Sequence, residues 1–279
     1  MMKTQKNTAV AKKNKQTQTA KKLTKKQEVK KAVILCGGKG TRMMPYTKSQ
    51  PKEMIPVQTT PLLQVIIDQV IEAGIKEIFI IISDSKECII NHFTDMYPKI
   101  KISYAIQHKM EGTGPATMIA KDFINNEPFL LIFPDELMLE QNPYKILIND
   151  FNRHQTAVLS SYRIPLEVAY RYGIIIPKKG KEINGIIEKP KTNPPSNFAS
   201  LGTYILVPEV LNYIREHKDG EGEICIVDAI NKLPKLRHVE LTGKRFDLGS
   251  PLGFVQATTY TALKNMPEFK DWVKDLLKE

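Results

Sequence analysis

Cysteine is scarce in this chain of 279 residues: Cys36, Cys88 and Cys225 are three, odd in number and far apart. That excludes a small secreted module stapled by disulfides. Long apolar runs are lacking as well. The longest, Ile78 to Ile82 and Pro128 to Phe133, end far short of the roughly 18 residues that a membrane-spanning helix requires, and no apolar stretch of about 7 to 15 residues marks a secretory signal. No zinc site can be drawn either, because His92, His108, His154, His217 and His238 show no His-x-x-x-His or Cys-paired spacing. What is present is an apolar content of 42%, enough to fill the core of one large domain or two small ones. A soluble, cytoplasmic protein with no membrane span is expected.

Lys and Arg number 41 against 30 Asp and Glu, a net charge of +11, which would ordinarily raise nucleic acid or an acidic surface as the partner. The excess is local. Residues 1–31 hold eleven Lys, one Glu and no Asp or Arg, a net of +10, so the other 248 residues carry about +1. This segment lacks aromatics and any sustained apolar period, and it cannot bury enough surface to offset the entropy of ordering it. Residues 1–30 therefore read as a disordered Lys-rich tail, either a solubilising extension or a weak tether to an anionic partner. Residues 31–279 read as a single domain with no specific nucleic-acid surface, since no aromatic-rich basic motif occurs outside the tail.

From Lys31 onward, β-rich runs alternate with helical patterns. Lys31-Ala-Val-Ile-Leu-Cys36 is a continuous apolar strand ending in a Gly-rich turn, the pattern of a parallel strand buried on both faces. Further strands are expected at 76–83, 100–107 and 128–133, with helices at about 86–95 and 114–123 between them, a run of βαβ units. Thr60-Pro61 reads as the N-cap and first position of a helix whose apolar face is Leu62, Val65, Ile66, Val70 and Ala73, and which Gly74 ends. Strands then follow at 156–163, 172–177, 182–188 and 199–206, with helices near 208–217 and 225–233. Pro and Gly at 165, 173, 177, 180 and 190 suggest short antiparallel pieces that decorate the main sheet. One α/β domain with a mixed sheet is the economical reading. After Pro267, residues Phe269, Trp272, Val273, Leu276 and Leu277 fall on one side of an amphipathic helix, which either packs on its own domain or joins subunits.

The most informative segment is Leu35-Cys-Gly-Gly-Lys-Gly-Thr-Arg42, directly after the first strand. Glycines at 37, 38 and 40 let the backbone turn tightly and present its amides to an oxyanion, while Lys39 and Arg42 add charge. Two familiar phosphate loops fail here: a Walker A loop needs Gly-Lys-Ser/Thr where this chain has Gly38-Lys39-Gly40, and a dinucleotide fingerprint needs Gly where it has Met43. Alone, the turn reads as well as structure as it does as a site.

The segments that follow decide between those readings. Gly37-Gly-Lys-Gly-Thr-Arg-Met-Met-Pro45, then Thr47, then Pro51-Lys-Glu-Met-Ile-Pro-Val57 resembles the signature of the sugar-phosphate nucleotidylyltransferases, in the form of their bacterial-type uridylyltransferase branch. The resemblance runs through most of residues 31–262. It implies a three-layer α/β/α Rossmann-like nucleotide-diphospho-sugar transferase fold with a mixed central sheet. It also assigns residues. Gly37, Gly38, Lys39, Gly40 and Thr41 would bind the nucleotide, Gln107 and Gly112 of Gln107…Glu111-Gly-Thr-Gly-Pro-Ala116 would grip the pyrimidine, and Arg42, Lys52 and Lys189 would be catalytic cations. Gly173 of Tyr172-Gly173 and Glu188 of Ile187-Glu-Lys-Pro-Lys191 would take the sugar. Asp135 of Phe133-Pro-Asp-Glu136 and Asp247 of Phe246-Asp-Leu-Gly-Ser250 would hold Mg2+. Taken singly, Asp135 or Asp247 reads as a cap or turn residue, Lys52 or Lys189 as a solvated charge and Gln107 as an edge-strand polar residue; all five segments in this order do not.

The implied reaction joins UTP and glucose 1-phosphate to give UDP-glucose and pyrophosphate in a homo-oligomer, a dimer or tetramer. It needs no general base, because a phosphate monoester with a second pKa of about 6 is already anionic at neutral pH. Positioning and cations must carry it. Three features depart from the family pattern: Cys225 and Val227 stand where Gln and Thr are usual, the chain between His92 and Ile102 is short, and the Cys-Gly-Gly-Lys-Gly turn is nearer the thymidylyl and adenylyl forms. A thymidylyltransferase making dTDP-glucose and a catalytically weak nucleotide-sugar-binding regulatory relative stay open as alternatives.

Overall fold

The structure is a computed structural model that describes residues 26–218 and 222–278. The Lys-rich segment expected to be disordered lies outside the described residues as far as residue 25. Its last five residues, however, belong to the body. Val29 is buried in the core, and Gln27 exchanges two hydrogen bonds with the Gln155 side chain, its N–H donating to Oε1 at 2.7 Å and its carbonyl accepting from Nε2 at 3.1 Å.

In chain order the elements are β1 (Lys31–Cys36), β2 (Pro56–Val57), β3 (Thr60–Pro61), α1 (Leu62–Glu72), β4 (Glu77–Ser83), α2 (Glu87–Phe93), β5 (Lys101–Gln107), α3 (Thr113–Ile119), α4 (Lys121–Ile124), β6 (Phe129–Ile132), β7 (Glu136–Leu139) and α5 (Pro143–His154). There follow β8 (Ala157–Arg163), β9 (Gly173–Pro177), β10 (Glu182–Glu188), β11 (Phe198–Leu206), α6 (Ile226–Ile230), β12 (Leu236–Glu240), β13 (Lys244–Asp247), α7 (Pro251–Asn265) and α8 (Pro267–Leu276).

Nine strands form one mixed sheet in the order β5-β4-β1-β6-β11-β8-β12-β10-β9. β5, β4, β1 and β6 are parallel, which is why β1 carries an apolar residue at almost every position: Ala32 and Ile34 face one core cluster and Val33 the other. Helices α1, α2, α5 and α7 cover the first face, and α4 and α6 the second. This is the three-layer α/β/α architecture with a mixed sheet that the sequence predicts. The second half does more than decorate that sheet, since β8 to β12 are strands of it. An extra pairing of β9 with β11, Ala199 opposite Ile174, folds the far edge back toward the middle.

Several local expectations are corrected. The helix over 62–72 has no Thr60 cap, because the Leu62 N–H donates to the Ile55 carbonyl at 3.0 Å and Thr60-Pro61 pairs with Pro56-Val57 instead. The helix expected at 114–123 is two short ones that meet at Ala120, whose N–H bonds the Thr117 carbonyl only three residues back. The stretch near 208–217 is a 3-10 turn over Pro208–Tyr213. The structure adds two sizeable helices, α5 and α7, to those that the sequence pattern predicts. Each opens on a polar cap followed by Pro, Asn142 accepting from the Tyr144 and Lys145 amides and Ser250 from that of Gly253. The amphipathic helix α8 exists, but none of its residues is buried: Trp272 and Leu276 stay exposed. Among the described residues no helix is long and apolar enough to cross a membrane.

Phe151 on α5 is 1% exposed within the first core cluster. Phe151→Ala is expected to cost about 3–5 kcal/mol in urea denaturation; a loss below ~1 kcal/mol would mean that the core collapses around the deletion.

Candidate active site

The chain runs from β1 to β4 and β5 on one side, then returns to β6 on the other. The carboxyl ends of β1 and β6 therefore part at a topological switch point, the place where open α/β sheets take ligands. The glycine-rich loop leaves the end of β1. Among the described residues the backbone amides of Gly37, Gly38, Lys39, Gly40 and Thr41 donate to no protein acceptor, a row of free donors suited to oxyanions. Gly40 holds the turn with φ 65° and its carbonyl accepts the Thr47 hydroxyl at 2.9 Å.

Phe133-Pro134-Asp135 leaves the end of β6. The Lys52 ammonium, on a 3-10 turn over Lys52–Met54, donates to Asp135 Oδ2 at 3.1 Å, and Arg42 approaches the same oxygen to 4.0 Å. Asp247 is brought in from 112 residues further on by the two-stranded pairing of β7 with β13, in which it stands opposite Glu136. The Leu248 N–H donates to the Asp135 carbonyl at 2.8 Å and locks that register. Arg171 lies 3.8 Å from Asp247 Oδ2. Arg245 grips Glu136 at 2.5 and 2.8 Å and lies over the Tyr172 ring.

These residues line two adjoining cavities. One, of about 580 Å³, is walled by Gly37, Gly38, Lys39, Thr41, Lys52, Gln107 and Gly112. The other, of about 480 Å³, is walled by Arg42, Gly173, Glu188, Lys189 and Asp247. Thr113, Phe133 and Asp135 belong to both. The sequence-predicted residues thus assemble around one divided cleft, with a single correction: Gly40 lines neither half and serves the turn, where a Cβ would meet the Thr47 side chain at 3.0 Å and that of Lys52 at 3.4 Å.

Close approach explains the glycines. Gln107 ends the edge strand β5, is 7% exposed, and donates from Nε2 to the Gly112 carbonyl at 3.3 Å. A Cβ on Gly37 would meet its Oε1 at 2.6 Å, and one on Gly112, at φ 109°, would collide with the Ile224 backbone. Gly173 starts β9 directly opposite Glu188 at the end of β10, and a Cβ there would fall 2.8 Å from Glu188 Oε1. Lys189 is fixed by a left-handed backbone, φ 45°, and by its N–H on the Tyr172 carbonyl at 3.0 Å.

The charges are tuned by their surroundings. Burial works to lower the Lys52 ammonium, but Asp135 and then Glu53 more than offset it and hold its pKa above the usual lysine value. Burial raises the Glu188 carboxyl against the pull of Lys189, and raises Glu136 although Arg245 opposes it. Cys225 and Val227 line the smaller cavity, where burial raises the thiol. Arg171, Thr113 and Phe133 were missed by sequence reasoning, although Arg171 directly precedes Tyr172-Gly173. None of the five histidines lines either half of the cleft.

Among the described residues no group of three or more His, Cys, Asp and Glu could hold a metal by itself. Asp135 and Asp247 share one cavity wall. Such a pair of carboxylates fits a hard divalent cation that draws its remaining ligands from phosphates and water.

The nucleotidyl transferase family model matches residues 31–263. A UTP--glucose-1-phosphate uridylyltransferase of Staphylococcus haemolyticus is 35% identical over 91% of this chain and 99% of its own. The enzyme of the same name from Bacillus subtilis is 34% identical over 86% of this chain and 93% of its own. A crystal structure of a UDP-glucose pyrophosphorylase complexed with UDP-glucose is similar with a TM-score of 0.79 and 29% identity, covering 85% of this chain and 100% of that one.

Asp135 is the largest influence raising Lys52. Asp135→Asn should therefore bring the Lys52 pKa down, so that 15N NMR of the ammonium shows the proton lost at lower pH than in the parent protein; an unmoved titration would refute this account of the pair.

Proposed function

The chain belongs to the nucleotidyl transferase family, and we propose that within it the protein transfers a uridylyl group from UTP to glucose 1-phosphate, releasing pyrophosphate and UDP-glucose. The observation that carries this reading is the divided cleft. A cavity walled by free loop amides and Gln107 meets a second, walled by Gly173, Glu188 and Lys189, and the Lys52–Asp135 pair stands at the junction. A nucleotide in the first and a sugar phosphate in the second would bring their phosphates together there. The names of the similar proteins agree with it.

The chemistry is the approach of two anions. The phosphate of glucose 1-phosphate is already a nucleophile at neutral pH, with a second pKa of about 6, so the residues must offset repulsion and align the attack. In this reading the amides of Gly37, Gly38, Lys39 and Thr41, with the side chains of Lys39 and Arg42, take the β- and γ-phosphates. Lys52, protonated throughout the neutral range because its pKa is raised, takes the α-phosphate, and Lys189 the sugar phosphate. The Gln107 amide can both donate to and accept from a uracil edge, and Glu188 accepts from sugar hydroxyls. Asp135 and Asp247 would hold the divalent cation, which we assign as Mg2+. When bound, it would neutralise charge on the phosphate oxygens. We further propose a homo-oligomer, for which the uncovered apolar side of α8 offers a contact.

Pyrophosphate release assayed with glucose 1-phosphate across UTP, dTTP, ATP, CTP and GTP tests the reaction. UTP should be preferred; preference for dTTP would reassign the protein to dTDP-glucose synthesis, and no turnover with any would reduce it to a binding protein. Lys52→Ala should lower kcat by roughly 10²-fold or more with the fold intact by circular dichroism, and near-normal turnover would remove Lys52 from the mechanism. In sedimentation velocity the protein should run as a dimer or tetramer, and Trp272→Glu should shift it toward monomer.

A further inference from the structure

A buried ammonium lies behind the glycine-rich loop, outside both halves of the cleft. Lys86 Nζ donates to the Cys36 carbonyl at 2.5 Å, the Gly38 carbonyl at 2.8 Å and Glu53 Oε2 at 2.9 Å. A lysine has three protons to give, and all three are given. Lys86 is 7% exposed and Glu53 0%. Isolating such a pair from water is expensive, and hydrophobic replacements often serve stability as well, so stability alone gives no reason for this one. Its placement follows from the fold: β4 lies beside β1, and Ser85, at φ 69°, turns the chain after β4 so that Lys86 points back under the end of β1.

Peptide geometry gives the pair a task. In a trans peptide the N–H points opposite to the C=O in its plane, and both peptides concerned are trans. The Cys36 carbonyl shares its plane with the Gly37 N–H, and the Gly38 carbonyl with the Lys39 N–H. Drawing those two carbonyls back onto Lys86 turns the Gly37 and Lys39 amides the other way, and Gly37, Gly38 and Lys39 line the larger cavity. A stretch with two adjacent glycines has almost no side chain of its own to hold that orientation. The third bond ends on Glu53, which directly follows Lys52, so one ammonium sets both the loop and the turn that presents Lys52.

We propose that Lys86 is a positioning residue that aims the loop amides at the phosphates of the nucleotide. This rests on the uridylyltransferase reading, and the test separates the two. UTP and UMP share base, ribose and first phosphate, so the ratio of their affinities, measured by calorimetry with Mg2+ on the full chain, isolates the grip on the outer phosphates. Lys86→Met keeps the aliphatic stem and should weaken UTP about tenfold or more, the worth of one hydrogen bond to a charged acceptor, while UMP stays within about threefold, under 1 kcal/mol. Glu53→Gln leaves an oxygen facing the ammonium and should preserve the ratio. A role confined to stability would lower Tm and leave the ratio where it was. Should Lys86→Met alone not fold, Lys86→Met combined with Glu53→Gln removes both charges and carries the same measurement. An unchanged ratio in a folded variant lacking Lys86, or an equal loss in Glu53→Gln, overturns the proposal; a parent protein that binds UTP no tighter than UMP overturns the functional reading instead.

Discussion

The ion pair of Lys52 with Asp135 joins residues 83 positions apart, and much of the architecture exists to bring them together. Lys52 arrives on a tight turn after β1, and Asp135 on the segment that leaves β6. Because β1 and β6 are parallel neighbours, their carboxyl ends point the same way, and the segments that follow them meet at one end of the sheet. The parallel pairing in turn requires helical crossovers on both faces, and these bury the two core clusters. The pair is thus a consequence of strand order, and it stands where the two halves of the cleft adjoin.

Three carboxylates near that junction are each held by a cation of the protein: Asp135 by Lys52 and Arg42, Asp247 by Arg171, and Glu136 by Arg245. Three carboxylates packed so closely would repel one another and loosen the site. Paired, they are kept in place while the neighbouring cations remain close to where phosphate groups would arrive. Arriving anions and a metal ion would therefore exchange partners within an existing set of charges, which requires little reorganisation of the protein.

The parallel half of the fold was legible because strands buried on both faces are nearly all apolar, and the run from Lys31 to Cys36 could hardly be read otherwise. The site was legible through resemblance to a family signature, since the glycine turn, Pro51-Lys52 and Tyr172-Gly173 read singly as structure or solvated charge and gain a role only as an ordered set. What could not be read depends on distant partners. Lys86 looks like any lysine at the start of a helix until β4 lies beside β1, and Arg245 declares itself only once the β7–β13 pairing brings its side chain onto Glu136. Gly40 resembled its neighbours in sequence but faces Thr47. Asn142-Pro143 and Ser250-Pro251 carry the polar-cap-then-Pro signal of a helix start and do begin helices, whereas Thr60-Pro61 carries the same signal and fails because a backbone carbonyl already serves the helix.

The return of β9 onto β11 has a consequence for how such a protein can change. Gln107 sits on the parallel edge of the sheet, and Gly173 with Glu188 at its antiparallel end, and among the described residues Thr113, Phe133 and Asp135 are the ones that line both cavities. Substitutions in β9 and β10 would therefore alter the lining of the smaller cavity, to which Gly173 and Glu188 belong, and leave that of the larger one untouched.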